Sequence, residues 1–313
     1  MNVIITGGTG LLGKSLVPEI ESAGYKVIVL TRNPEKYAGM FPASVELVAW
    51  DARSAQGWAG YAEGAKAIIN LAGENLAGYS FFPKRWTDER KKLIRDSRLA
   101  SGRAVVEAVQ AAEEKPEAVV QVSAVGYYGP QEDQVITEDF PPADDFLAQI
   151  AVDWENSSKD VESMGVRHVV VRGAGFFLSK EEGALYRLLL PSKMFVGGPM
   201  GDGEQWYTWI HPIDASRGIR FLIENDDAAG AFNLVSPQPL KNKDFSKAVG
   251  AAQNRPSWLP VPGFAFKLAF GEVASVVLTG QRVVPERLQE LGFEYQYPEA
   301  VAAIKDVLGG GSS

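Results

Sequence analysis

Three glycines at a spacing of three, Gly7, Gly10 and Gly13, follow the apolar run Asn2-Val3-Ile4-Ile5-Thr6. Each has a separate chemical use. Gly7 permits a tight turn out of a strand, Gly10 lets a pyrophosphate approach the backbone, and Gly13 lets the following helix pack closely on the strand. That helix points its free N–H groups and positive dipole end at the same place, which favours an anion there. Leu16, Val17 and Ile20 give the helix its apolar stripe, and a second apolar run, Lys26 to Leu30, closes a βαβ unit. A glycine pattern alone is weak; inside such a unit it points to dinucleotide binding.

The position just past the second strand selects the cofactor. An acid there would hold a ribose 2′-hydroxyl. Thr31-Arg32-Asn33-Pro34 offers no acid but places Arg32 to meet a 2′-phosphate, so NADP(H) is expected. Asp51, after a third strand over Val45–Trp50, is a partner for the adenine amino group or a simple turn aspartate. Ala67-Ile68-Ile69-Asn70 runs into the small residues Leu71-Ala72-Gly73, across which a ligand can lie.

Elements that must position these residues can be read further along. An irregular aromatic stretch, Glu74 to Lys84, with Tyr79, Phe81 and Phe82, reads as a loop over the cleft. Thr87 is a good N-cap for a helix reaching about Ala112, and Arg85, Arg95 or Arg98 on or before it is a candidate to face the cofactor. A fifth strand, Ala118–Ser123, a helix from about Ala143 to Met164 and a sixth strand, Val166–Val171, complete a strict alternation of strands and helices. That predicts a parallel sheet with right-handed crossovers. Beyond Gly175 the chain turns rich in Gly, Pro and aromatics, then mostly helical. The expected architecture is α/β: a Rossmann-type doubly wound parallel sheet over residues 1–175, with a return strand near 231–236. A smaller, mainly helical C-terminal substrate domain covers 176–308, and 309–313 form a flexible tail.

Bulk composition narrows the function. Net charge is −8 over 313 residues, which argues against nucleic acid. There is no cysteine, which removes thiolate nucleophiles, and only two histidines, so no metal site is expected. No apolar run reaches spanning length, so no membrane partner and a cytoplasmic location are expected. The expected partner is a small-molecule substrate, with the chain a monomer or homodimer.

Three stretches together, Thr6-Gly7-Gly8-Thr9-Gly10-Leu11-Leu12-Gly13, Asn70-Leu71-Ala72-Gly73 and Ser123-Ala124-Val125-Gly126-Tyr127-Tyr128-Gly129, resemble the extended short-chain dehydrogenase/reductase superfamily. Arg85-Trp86-Thr87 through Ser97-Arg98, Trp154-Glu155 and Gln205-Trp206-Tyr207-Thr208-Trp209-Ile210-His211 narrow the likeness to its atypical NAD-dependent epimerase/dehydratase-like family, whose members are sometimes labelled cell-division inhibitor-like. The resemblance covers essentially the whole chain and implies a Rossmann-type fold, NADP(H) and an undefined substrate. The expected cofactor-binding residues are Gly7, Thr9, Gly10, Leu11 and Leu12 in the turn, and Arg32 and Asp51 after strands two and three. Leu71, Ala72, Gly73 and Glu74 after strand four, Ser123 on strand five, and Arg172 and Gly173 on strand six complete the set.

The departure from the family pattern is as informative. Classical members pair a tyrosine with a lysine four residues on, which brings the tyrosine's pKa toward neutrality. None of the ten tyrosines here has that lysine. With Glu155 aligned to the glutamate that usually follows, Leu147 and Ala151 take the two places, and neither carries a proton. Ser123 matches the superfamily's catalytic serine or threonine; Ser123 and Tyr127 are the candidate catalytic residues, with Tyr128, Glu74 and His211 as further proton carriers. His211 is also read as a structural hydrogen-bonder with Asp214. Two functions follow: an NADP(H)-dependent oxidoreductase or epimerase with rearranged acid/base groups, or a non-catalytic NADP(H)-binding redox sensor or partner-binding protein.

Overall fold

The computed structural model describes residues 1–78 and 82–310. Seven strands form the central sheet: β1 (Asn2–Thr6), β2 (Lys26–Thr31), β3 (Glu46–Ala49), β4 (Ala67–Asn70), β5 (Ala118–Ala124), β6 (Arg167–Gly173) and β7 (Gly230–Leu234). They lie in the order β7-β6-β5-β4-β1-β2-β3, and every neighbouring pair is parallel. The order reverses beside β1, so the carboxyl ends of β1 and β4 diverge there and leave a crevice for a ligand.

Alternate residues of the strands feed two cores. Val3, Ile5, Val27, Val29 and Ile69 face one side of the sheet, where helices α1 (Gly13–Ser22) and the later Pro212–Glu224 helix cover them. Ile4, Ile28, Leu30 and Ile68 face the other side, under Ala104, Val105, Ala108 and Val109 of helix α2 (Asp88–Ala111). Near-continuous apolar strands are what two covered faces require. Thr87 does cap α2, its hydroxyl accepting from Arg90 N at 3.2 Å.

Two expectations are corrected. Strands and helices do not alternate strictly: β2 reaches β3, and β3 reaches β4, through single 3-10 turns at Glu35–Tyr37 and Ala59–Ala62. Trp50 and Trp58 fill the space a helix would cover, edge to face at 6.2 Å. The expected 143–164 helix is shorter; α3 (Phe146–Asn156) starts at the Asp145 cap, and a separate 3-10 segment follows at Lys159–Met164.

Beyond β6 the chain builds α4 (Gly183–Lys193), α5 (Pro212–Glu224), α6 (Asn242–Gln253) and α7 (Gly263–Phe270). Phe176, Tyr207, Trp209 and Phe245 centre a separate core there. Residues 306–308 continue the last helix to a kink at Gly309 (φ +88°), and 311–313 of the expected tail, like Tyr79 and Phe81 of the expected cleft loop, lie outside the described residues. Among the described residues no helix is long and apolar enough to cross a membrane.

Candidate functional site: a dinucleotide cleft

A cleft of about 940 Å³ runs along the carboxyl ends of β1, β2 and β4. Its floor is set by one buried hydroxyl. Thr6, the last residue of β1, donates to Asn70 Oδ1 at 2.6 Å and accepts from the N–H groups of Leu71 and Ala72, both at 3.1 Å. Asn70 Nδ2 continues to Gln121 Oε1 at 2.9 Å, and Ser158 donates to the same oxygen at 3.1 Å. This polar chain locks the ends of β1, β4 and β5 in register beneath the cleft.

Above that floor sits the glycine turn. Gly7 has φ +64°, and a Cβ there would come within 3.1 Å of the Leu71–Ala72 backbone. A Cβ on Gly13 would overlap the Gly8 carbonyl, whereas one on Gly10 would meet only Gly7 O at 3.2 Å. Gly13 is thus demanded by packing, and Gly10 is left with an open side toward the cleft. Thr9, Leu11 and Leu12 line the cleft with them. No side chain caps the N-terminus of α1, so its dipole faces the cleft unopposed. Glu182 and Gly183 close over the turn from across the cleft, Glu182 pairing with Lys14 at 2.7 Å.

Past β2, Arg32 and Lys36 both line the cleft, are exposed, and have no carboxylate partner among the described residues. Asn33 orders this corner, its Oδ1 accepting from Lys36 N at 3.0 Å. Two such cations on a chain of net charge −8 make this corner locally positive. Lys36 is a residue that sequence reasoning misses. Its signal, a cation four residues past Arg32, is readable only once the segment is known to be a 3-10 turn.

Asp51 is placed otherwise than as an adenine partner. Its carboxylate accepts from the N–H groups of Arg53 (2.7 Å) and Ser54 (2.9 Å) and from the Ser54 hydroxyl (2.9 Å), which lower its pKa. It is the turn aspartate, and Trp50 and Ala52 on either side line the cleft in its stead.

At the far end the walls are Leu71, Ala72, Gly73, Glu74, Ser97, Arg98, Val122 and Trp154. Of the three arginines considered, only Arg98 reaches it. Its guanidinium lies 4.6 Å over the Trp154 ring and donates to Glu74 O at 3.0 Å. Arg95 pairs with Asp153 at 2.7 Å, and Arg85 donates to the carbonyls of Leu268 and Ala269. Glu74 is held by Arg90 at 2.8 Å. The sequence marks Trp154 only as part of a family motif; its indole Nε1 is buried at the cleft with no partner among the described residues.

Ser123, Tyr127, Arg172 and Gly173 do not line the cleft. The Ser123 hydroxyl is buried and lacks a partner among the described residues. Arg172 is the centre of a buried cluster. It binds both carboxylate oxygens of Glu155 at 3.0 Å, reaches Tyr128 OH and Glu138 O at 3.0 Å, and its guanidinium lies 3.5 Å from the Tyr127 ring centre. Burial works to lower the Arg172 pKa, but the Glu155 carboxylate outweighs it and holds the cation more firmly than usual. Arg172 therefore positions Tyr127 and Tyr128 and is not a cleft-facing cation. Tyr128 donates to Asn233 Oδ1 at 2.7 Å, and burial pushes its pKa up to about 12, so it keeps its proton near neutrality. Leu147 lies against Gly126, where a Cβ would meet the leucine Cβ at 3.4 Å, and Ala151 is buried. The segment that should carry an acid/base pair is a packing surface. His211 caps α5 and lies 3.2 Å from Asp306; no hydrogen bond joins it to Asp214 among the described residues, and the Asp214 carboxylate accepts from Gln296 N and Tyr297 N.

A parallel sheet with a glycine turn at its switch point, and residues 3–234 matching the model of the NAD dependent epimerase/dehydratase family, decide the lineage. The chain belongs to that family. Residues 261–307 match a second model, described as a domain of unknown function. Over 98% of this chain and 87% of the other, the sequence is 36% identical to a chloroplastic epimerase family protein SDR39U1 homolog of Arabidopsis thaliana. It is equally identical to the epimerase family protein YfhF of Bacillus subtilis, over 98% of both chains. The solved structure of human epimerase family protein SDR39U1 with NADPH superposes with a TM-score of 0.86 at 30% identity, covering 99% of both chains.

Proposed function

We propose that the chain binds NADP(H) in this cleft and exchanges hydride between its nicotinamide and a small carbonyl or sugar-nucleotide substrate. The pyrophosphate lies on the Gly7–Gly13 turn, the adenine between β2 and the Trp50–Ala52 corner, and the nicotinamide toward Val122 and Trp154. The observation that carries the cofactor choice is the pair Arg32 and Lys36, two cations without carboxylate partners among the described residues, where an NAD site would place an acid. The human relative, solved with NADPH, supports the same reading. Residues 1–175 with β7 serve as the cofactor half, and 176–308 form the substrate side.

Proton transfer is the open half of the chemistry. With Leu147 and Ala151 in place of the usual pair, no tyrosine–lysine couple is available, and a tyrosine of ordinary pKa is a poor base at neutral pH. Hydride exchange then depends on a proton from Ser123, from Tyr127, or from the substrate itself. Calorimetric titration with NADPH and NADH tests the binding. NADPH oxidation against sugars, aldehydes and ketones tests the chemistry. Turnover that disappears in Tyr127→Phe or Ser123→Ala supports the assignment. Tight NADPH binding with no turnover on any substrate favours the second reading, a redox sensor, to which the packed Leu147–Ala151 segment also points.

A further inference from the structure

Large apolar side chains crowd one exposed face beyond residue 183. Tyr186, Leu190 and Met194 recur every fourth position along α4 and its C-terminus, and Phe264 and Leu268 do so on α7. Trp258 is 63% exposed, Phe264 74% and Leu268 76%. The backbone joins the two segments that carry them. Gly197 O accepts from Trp258 N (2.9 Å) and Leu259 N (3.2 Å), and Trp258 Nε1 donates to Phe195 O at 3.0 Å, which fixes the indole outward. Reciprocal bonds of 2.9 Å link Val261 to Pro199 and Gly201, leading into α7. No residue of α7 is buried.

Charge says what covers this face. Segments 183–201 and 254–271 hold no acidic residue, yet they contain Arg187, Lys193, Arg255 and Lys267 in a chain of net charge −8. Of the acids that flank them, Glu182 and Glu272 are held by Lys14 at 2.7 Å and Lys91 at 2.5 Å, and Asp202 accepts from Glu204 N at 3.0 Å. A second copy would set the same cations against each other. Aromatic and aliphatic tips interleaved with cations match the boundary between lipid headgroups and acyl chains.

We propose that this face docks flat on an anionic lipid bilayer. Phe195, Trp258, Phe264 and Leu268 enter the headgroup boundary, and Lys193, Arg255 and Lys267 meet lipid phosphates. The eight residues of α7 are far too short to span, so the contact is superficial. Because α4 begins at Gly183 on the cleft wall, docking brings the cleft's edge to the membrane surface.

Co-sedimentation of the full chain with vesicles tests this, using phosphatidylcholine alone or mixed with phosphatidylglycerol, at low and high salt. The chain should bind the mixed vesicles about tenfold more than the neutral ones, with high salt removing the difference. Phe264→Ser/Leu268→Ser and Arg255→Glu/Lys267→Glu should both lose vesicle binding. Unchanged NADPH affinity would show that they remain folded. Failure of the native chain to bind phosphatidylglycerol vesicles overturns the proposal, as does vesicle binding unaffected by either variant. So does sedimentation showing a dimer that Phe264→Ser/Leu268→Ser dissociates while vesicles are ignored. An unchanged melting midpoint of the two variants serves as the folding control if NADPH does not bind, so these outcomes stand apart from the cofactor reading, which the NADPH titration tests separately.

Discussion

The two ends of the cleft are built by different rules. At the glycine-turn end the backbone sets the geometry: a glycine turn and an uncapped helix N-terminus, joined by two cations with no carboxylate partner among the described residues. At the Trp154 end, and in the buried Arg172 cluster that does not line the cleft, side chains are tied to each other. Arg172, Glu155, Tyr128 and Asn233 saturate one another, Arg98 covers Trp154, and leucine and alanine stand where proton carriers belong. The first end presents backbone donors and cations, which suit an anionic ligand. The second is specified for shape, which is why cofactor class is readable here and reaction type is not.

Substitutions can break or sharpen that contrast. The largest effect should come from Arg172→Met, which strands the Glu155 carboxylate in a buried site and should cost about 3–5 kcal/mol in chemical denaturation. A loss under about 1 kcal/mol would show that the far end is not held by this pair. Gly13→Ala comes next. Its methyl must displace the Gly8 backbone, so stability should fall by about 1–3 kcal/mol and NADPH binding with it. Gly10→Ala, whose methyl meets only Gly7 O, tightly at 3.2 Å, should cost the fold less than Gly13→Ala while losing NADPH. Equal melting losses in the two variants would erase the distinction between packing and ligand approach. Arg32→Ala should weaken NADPH by about 2 kcal/mol, read by calorimetry, and leave NADH nearly unchanged.

Acid should act next. Burial lowers the pKa of both His168 and His211 below the ordinary 6.5. The folded state therefore keeps them neutral while the unfolded chain takes up protons first. Stability is full above about pH 6.5 and falls as pH drops from there toward the depressed folded values. Thermal midpoints measured from neutral pH to about pH 5 should decline, and His168→Gln should flatten part of the slope. The smallest effect is on stability in Ser123→Ala. Removing a buried hydroxyl that has no partner among the described residues should leave the melting midpoint unchanged or slightly raised. A clear drop would mean that the hydroxyl already has a structural bond.

How far the sequence speaks follows the same division. The glycine turn, the Thr87 cap and the return strand at 230–234 are legible because each rests on local spacing or a single residue's chemistry. Lys36 is not, since a three-residue 3-10 turn has too little periodicity to show which side chains share a face. Asp51 is ambiguous because its choice between ligand and turn depends on Ser54, three residues away. Arg172 is misplaced by sequence reasoning because its partners, Glu155 and Tyr128, come from another helix and another loop, and His211 finds Asp306 across the fold for the same reason. Long-range pairings of this kind leave no spacing to read.

The central claim is that the near end of the cleft seats a dinucleotide carrying a 2′-phosphate. Side-by-side calorimetry of NADPH and NADH on the native chain and on Arg32→Ala/Lys36→Ala addresses it most directly. The account predicts NADPH preferred by at least about tenfold in the native chain and no preference in the double variant. Native protein that ignores both coenzymes, or a double variant that keeps the preference, would contradict it.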